Sequence, residues 1–175
     1  MAATRILSII GRKNAGKTTL TVALTAEFAR KGRKVMAIKH ASHPADIDRE
    51  GTDSYRLYHE GKAERVLLAT PRQRVIIEKS PDDTDPVTLA RRYFQGADMV
   101  LVEGFHTAPI PKIEVFRRAA SDTPIFDPAY PGANLWIAIV TDDEKFDAPC
   151  PVLRFRDTMW LQLLANIAWE KALEI

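Results

Sequence analysis

The chain has 175 residues, 46% of them hydrophobic and 27% charged, and a formal net charge of +2. That length suits one domain with a substantial core, and the near-neutral balance gives no ground for nucleic-acid binding. Cys150 stands alone between prolines, which excludes an intrachain disulfide and any CxxC metal or redox motif, and no apolar run reaches the ~18 residues of a membrane span. The N-terminal segment has no secretory pattern, so the expectation is a single domain over 1–175 in the cytoplasm, away from membranes.

In chain order, the apolar β-branched run Ile6-Leu7-Ser8-Ile9-Ile10 predicts a buried strand, and Leu20, Ala23, Leu24, Glu27 and Phe28 recur at helical spacing. Between them Gly11-Arg12-Lys13-Asn14-Ala15-Gly16-Lys17-Thr18 fits G-x-x-x-x-G-K-[ST], the loop that cradles phosphates. Strand, glycine-rich loop and helix N-terminus are what that chemistry needs. The glycines let the backbone curl with its N–H groups inward, and the helix dipole adds positive potential. Lys17 would reach the β- and γ-phosphates and the Thr18 hydroxyl a Mg²⁺ ion. The cluster Arg30-Lys31-Gly32-Arg33-Lys34 reads as a solvated helix end stopped at Gly32.

Val35–Ile38 predicts a second strand, followed by a polar loop from Lys39 to about Gly51 and a helix near Asp53 to Glu60. Arg65–Ala69 and Arg74–Ile77, separated by Thr70-Pro71-Arg72-Gln73, predict a hairpin. Asp85 caps a helix with Pro86 at its first position, running to about Phe94. Met99–Val102, Lys112–Phe116 and Leu135–Val140 are further strands, the last two joined by a Pro-rich connection from Pro124 to Pro131. After Val152–Phe155, Asp157 is expected to cap a closing helix with Trp160, Leu163, Leu164 and Ile167 on one face. The alternation predicts an α/β fold: a mostly parallel sheet of the P-loop type with helices on both faces, plus a small β-hairpin.

Ligands of such sheets sit at the carboxyl ends of the strands. Glu103, closing an apolar strand and followed by Gly104, is there the candidate metal-ligating or metal-water-holding acid; the alternative is a surface carboxylate. In the loop Lys39-His40, His43, Asp46, Asp48 and Asp53, the aspartates at spacing two could hold metal-bound water or sense a γ-phosphate. A transition-metal site there lacks the paired His/Cys spacing of zinc centres, and a solvated polar loop is the other reading. Arg117 is either a phosphate contact or a surface charge; Arg12 and Lys13 either meet a phosphate or face water, Lys13 being counted with the candidate nucleotide contacts.

Together GRKNAGKTT, KHASHPADIDREGTDSYRL from Lys39 to Leu57, and LVEGFHTAPIPKIEVFR from Leu101 to Arg117 resemble the MobB family, the molybdopterin-guanine dinucleotide biosynthesis adaptor proteins. The likeness covers most of the chain, with its three motifs in the same order. It implies a P-loop fold shared with dethiobiotin synthetase and nitrogenase-iron-protein-like ATPases. It also implies a homodimer that binds GTP with Mg²⁺, hydrolyses it weakly, and assists the guanylyltransferase that attaches GMP to molybdopterin. Carried over by position, it puts Asn14, Ala15, Gly16, Lys17, Thr18 and Thr19 around the phosphates, with Gly11 opening the loop; Glu103, Gly104 and Asp48 match the acidic motifs. Lys17, Glu103 and Asp48 are thus the candidate catalytic residues, and Thr18, Glu103 and Asp48 the candidate metal ligands. The family's Lys-His-x-His-His loop is broken here by Ser42 and Pro44, and Thr141-Asp142 is not the N/T-K-x-D signature that reads guanine. The competing function is a P-loop small-molecule kinase or ATP-dependent ligase, with Arg117, Arg118 and His106 gripping an anionic acceptor; a partner-binding module with a vestigial P-loop is a third reading.

Overall fold

The computed structural model describes residues 3–41, 47–80 and 84–175, which group into two compact units, residues 1–40 with 85–175 and residues 41–84. The larger unit is built on a sheet in the order β2-β5-β1-β6-β7-β8, all neighbours parallel. These strands are β1 (Arg5–Gly11), β2 (Val35–Lys39), β5 (Met99–Glu103), β6 (Lys112–Phe116), β7 (Trp136–Thr141) and β8 (Val152–Arg154). A two-residue strand, β9 (Leu173–Glu174), pairs antiparallel with the start of β1.

The central strands β5, β6 and β7 are buried at every residue, as expected where both faces are covered. On one face α1 (Lys17–Arg30) and α4 (Trp160–Lys171) bring Leu20, Leu24, Phe28, Leu164, Ala165 and Ala168 against Leu7, Ile9, Leu101, Ile113 and Val140. On the other, α3 (Pro86–Tyr93) places Ala90 beside Ile6, Val100 and Val102. Alternate residues of β1 thus enter opposite cores, as the strand's period of two requires. The P-loop-type mostly parallel sheet with helices on both faces is as the sequence predicts.

For the last helix the expected cap fails and the expected face holds except at one residue. Met159, at φ 59°, precedes α4 without a side-chain cap, and the Asp157 carboxylate accepts the Arg154 N–H instead at 3.0 Å. Of the predicted face, Leu164 is buried and Trp160 and Ile167 pack against the same core, joined by Ala165 and Ala168, whereas Leu163 is exposed. Small residues let α4 lie close to the sheet, a preference that hydrophobicity alone does not signal. At α3 the expectation holds: the Asp85 side chain accepts the N–H groups of Val87 and Thr88.

Beneath the Pro-rich connection, Glu114 is buried and accepts three N–H donors: Ile125 at 2.5 Å, Phe126 at 2.8 Å and the Trp136 indole at 2.8 Å. Burial holds its carboxyl above the usual range although these donors favour the anion. Glu114→Ala will leave three donors unanswered and destabilise the protein by about 3 kcal/mol, read as a lower urea midpoint. An unchanged midpoint would refute that role. Its neighbour Lys112, also buried, donates to the carbonyls of Ala108 and Ile110, and burial pushes its pKa down to about 8.

The smaller unit holds the expected hairpin, β3 (Arg65–Ala69) with β4 (Arg74–Glu78), in which Leu67 faces Ile76. The helix expected over 53–60 is present, as α2 (Asp53–Tyr55) running directly into a π-helical stretch over Arg56–Glu60. The Gly61 N–H donates to Arg56, five residues back, and a Cβ at Gly61 would stand 2.8 Å from the Leu57 carbonyl oxygen. Glycine therefore permits the wider turn.

Candidate functional site

Parallel pairing sets the site. Across β1 and β5, Ile9 aligns with Glu103; across β2 and β5, Lys39 aligns with Glu103. β2 and β5 therefore end level, β1 runs on to Gly11, and the phosphate-type loop 11–18 leaves it at that edge. The Gly11 backbone passes so close to β6 that a Cβ would sit 2.5 Å from the Val115 carbonyl oxygen. Asn14 at φ 63° and Gly16 at φ 102° turn the loop back toward α1, and buried Ala15 anchors it.

Gly16 precedes α1 without any side-chain cap, so the first-turn N–H groups, those of Thr18 and Thr19 included, have no side-chain acceptor there. This is the anion-binding end of a helix with its capping oxygen left out. Lys17 folds over the loop and donates to the carbonyls of Gly11 at 3.1 Å and Arg12 at 3.0 Å. Lys13 and Asn14 are exposed on the outer side.

Thr18 Oγ1 donates to Glu103 Oε1 at 2.9 Å, and Lys39 Nζ reaches the same oxygen at 2.7 Å. The structure thus unites the predicted hydroxyl and acid, and adds a lysine that sequence reasoning noted only as the start of a polar loop. A hydroxyl and a carboxylate at an open mouth are hard oxygen donors, the kind Mg²⁺ takes alongside phosphate oxygens. These residues fit that ion. Gly104, at φ 100°, keeps the neighbouring backbone close: a Cβ there would lie 3.0 Å from the His40 Cβ. The His40 ring stacks on Phe105 with centroids 4.4 Å apart, which gives this histidine a packing role.

Arg117 is the residue on which the sequence was evenly divided. Its guanidinium lies 4.4 Å from the Phe155 ring centroid, and its atoms stand 3.8–4.0 Å from the place a Cβ would take at Gly16. Its Nε is buried without a hydrogen-bond partner among the described residues. The arginine is thus held against the phosphate-type loop. Arg118 differs: it pairs with Asp143 of the loop after β7 at 2.7 Å and donates to the Asp122 carbonyl of its own loop, so it is already committed. Asp142 accepts the Arg118 backbone N–H at 3.0 Å.

In the smaller unit, Asp48 Oδ1 accepts Ser54 at 2.8 Å and Thr52 at 3.3 Å, while its Oδ2 is buried without a partner among the described residues. His43 and Asp46 lie outside the described residues. Among the described residues no three His, Cys, Asp or Glu side chains cluster as a metal centre.

A family model described as "MobB: Molybdopterin guanine dinucleotide synthesis protein B" matches residues 6–142. The chain belongs to the MobB family. A molybdopterin-guanine dinucleotide biosynthesis adapter protein of Haemophilus influenzae is 37% identical over 114 residues, 65% of this chain and 64% of that protein. The Escherichia coli protein of the same description is 32% identical over 122 residues, 68% of this chain and 69% of its own length. The matched stretch therefore spans just under two thirds of the Haemophilus relative. Among solved structures, Bacillus subtilis MobB aligns over 93% of this chain and 97% of its own with a TM-score of 0.66 at 20% identity. A structure described as molybdopterin-guanine biosynthesis protein B (mobB) covers 94% and 98% with a TM-score of 0.67 at 22% identity. At such identities the shared feature is the MobB fold, a P-loop-like sheet.

Proposed function

We propose that this chain is a GTP-binding adaptor and weak GTPase of molybdenum-cofactor maturation, assisting attachment of GMP to molybdopterin to form molybdopterin guanine dinucleotide. The family and its adapter relatives support the pathway. The nucleotide rests on one observation above the others: an uncapped helix N-terminus, Lys17 and the Thr18–Glu103 pair meet at one strand edge. The working form is a cytoplasmic homodimer that engages the guanylyltransferase and its molybdopterin substrate; no described helix is long and apolar enough to cross a membrane.

In this reading the loop amides of Asn14 to Thr19 bind the phosphates, Lys17 leaves the Gly11 and Arg12 carbonyls for the β- and γ-oxygens, and Arg117 holds a further oxygen. Thr18 and Glu103 would hold Mg²⁺, which supplies neutralising charge at the same phosphate oxygens. Binding outweighs turnover, so GTP hydrolysis at many per second without a partner would refute the adaptor reading.

Calorimetric titration with GTP and with ATP, each with and without Mg²⁺, tests the assignment. GTP is expected to bind with Mg²⁺ and at least about 10-fold tighter than ATP, a difference of about 1.4 kcal/mol. ATP preference would instead favour the small-molecule kinase or ligase, a reading already weakened by the commitment of Arg118 to Asp143.

A further inference from the structure

We propose that Lys39 is a built-in counter-ion of the metal seat: its ammonium and a divalent cation compete for Glu103 Oε1 and Thr18 Oγ1. Lys39 thereby sets how strongly nucleotide binding depends on metal. The inference deepens the nucleotide reading and rests on it for its first test alone.

The backbone, and not a chance side-chain excursion, puts Lys39 there. It ends β2 in direct register with Glu103 at the end of β5, and the His40 N–H continues the ladder to the Glu103 carbonyl at 2.9 Å. From that position Nζ lies 2.7 Å from Glu103 Oε1 and 3.5 Å from Thr18 Oγ1, while Thr18 itself donates to the same Oε1 at 2.9 Å. The ammonium therefore bridges the two oxygens that Mg²⁺ would take. Lys17, another nearby cation, is held by the Gly11 and Arg12 carbonyls.

An ammonium and a divalent ion on one carboxylate repel each other, so each weakens the other's hold. Exposure decides which of them yields. The Lys39 side chain is 63% exposed and the Glu103 side chain 10%. Lys39 has a flexible four-carbon stem and a path to water; the carboxylate is fixed by the strand end and stays. When metal is scarce the ammonium remains beside the phosphate site and supplies part of the missing positive charge. When metal is abundant it is displaced. Lys39 thus blunts metal dependence, and its removal should sharpen it.

Two measurements test this on the wild-type chain, Lys39→Met and Lys39→Gln, with thermal melts to verify folding. In the first, GTP is titrated by calorimetry in EDTA and in saturating Mg²⁺. Both variants should lose about 10-fold affinity in EDTA yet stay within about 3-fold of wild type with Mg²⁺, the scale of one hydrogen bond to a charged group. Equal losses in both conditions would make Lys39 an ordinary phosphate contact and overturn the competition. In the second, Mn²⁺ is titrated into the nucleotide-free proteins and free ion is read by electron paramagnetic resonance. Both variants should bind Mn²⁺ about 10-fold tighter than wild type, since Glu103 is released from its ion pair. Unchanged Mn²⁺ affinity overturns the proposal whatever GTP does, whereas failure of wild type to bind GTP with a Mn²⁺ gain intact would refute only the nucleotide reading.

Discussion

Lys17→Ala is expected to lower triphosphate affinity about 100-fold while leaving the melting temperature within about 1 °C of wild type. The affinity loss reflects a charge-assisted contact to two phosphate groups, at about 1.5–3 kcal/mol for a hydrogen bond to a charged group. The fold should be spared because the Lys17 ammonium donates only to the Gly11 and Arg12 carbonyls of its own loop, which water can reach when it is gone. Calorimetry with GTP and Mg²⁺ measures the first quantity and a melting curve the second. An unaltered affinity would remove the phosphate-loop assignment. A collapse of stability would mean that the lysine holds the loop together and that lost binding says nothing of phosphate contact.

Gly11→Ala should act in the opposite way, on the fold before the ligand. A Cβ at Gly11 would meet the Val115 carbonyl oxygen at 2.5 Å, with φ at 152°. That oxygen belongs to β6, a fully buried strand whose Val115 is paired with Gly11 itself. Neither side can move without breaking the central ladder, so the expected cost is about 3 kcal/mol, within the range of overpacking a rigid core. Urea denaturation would register it as a lower midpoint with unchanged slope. A midpoint equal to wild type would show that β1 and β6 can separate, and the close approach would no longer explain the first glycine of the motif.

Much of this molecule is legible in its amino-acid sequence. The phosphate-type loop, the strand-end acid Glu103, the Asp85-Pro86 helix start and the hairpin 65–78 all rest on neighbours along the chain. Local chemistry fixes such features: a cap needs its own next turn, a hairpin its own partner strand. Asp157 shows where the same logic fails. It stands at the right distance from a helix, yet its carboxylate accepts the Arg154 N–H. The local rule has two solutions there, and packing chose the other.

Sequence by itself determined that a phosphate-type loop follows a buried strand, that an acid closes another strand, and which family the chain resembles. Tertiary structure decided the rest of the site, because sheet order is not chain order. Only the arrangement β2-β5-β1-β6 brings Lys39 and Thr18 to one oxygen of Glu103, across separations of 64 and 85 residues. The same arrangement sets Arg117, at the end of β6, against Gly16 and onto Phe155 from beyond β8. Periodicity tells which residues enter a core; it carries no information on which strand lies beside which, and the charges of this site come together across strands.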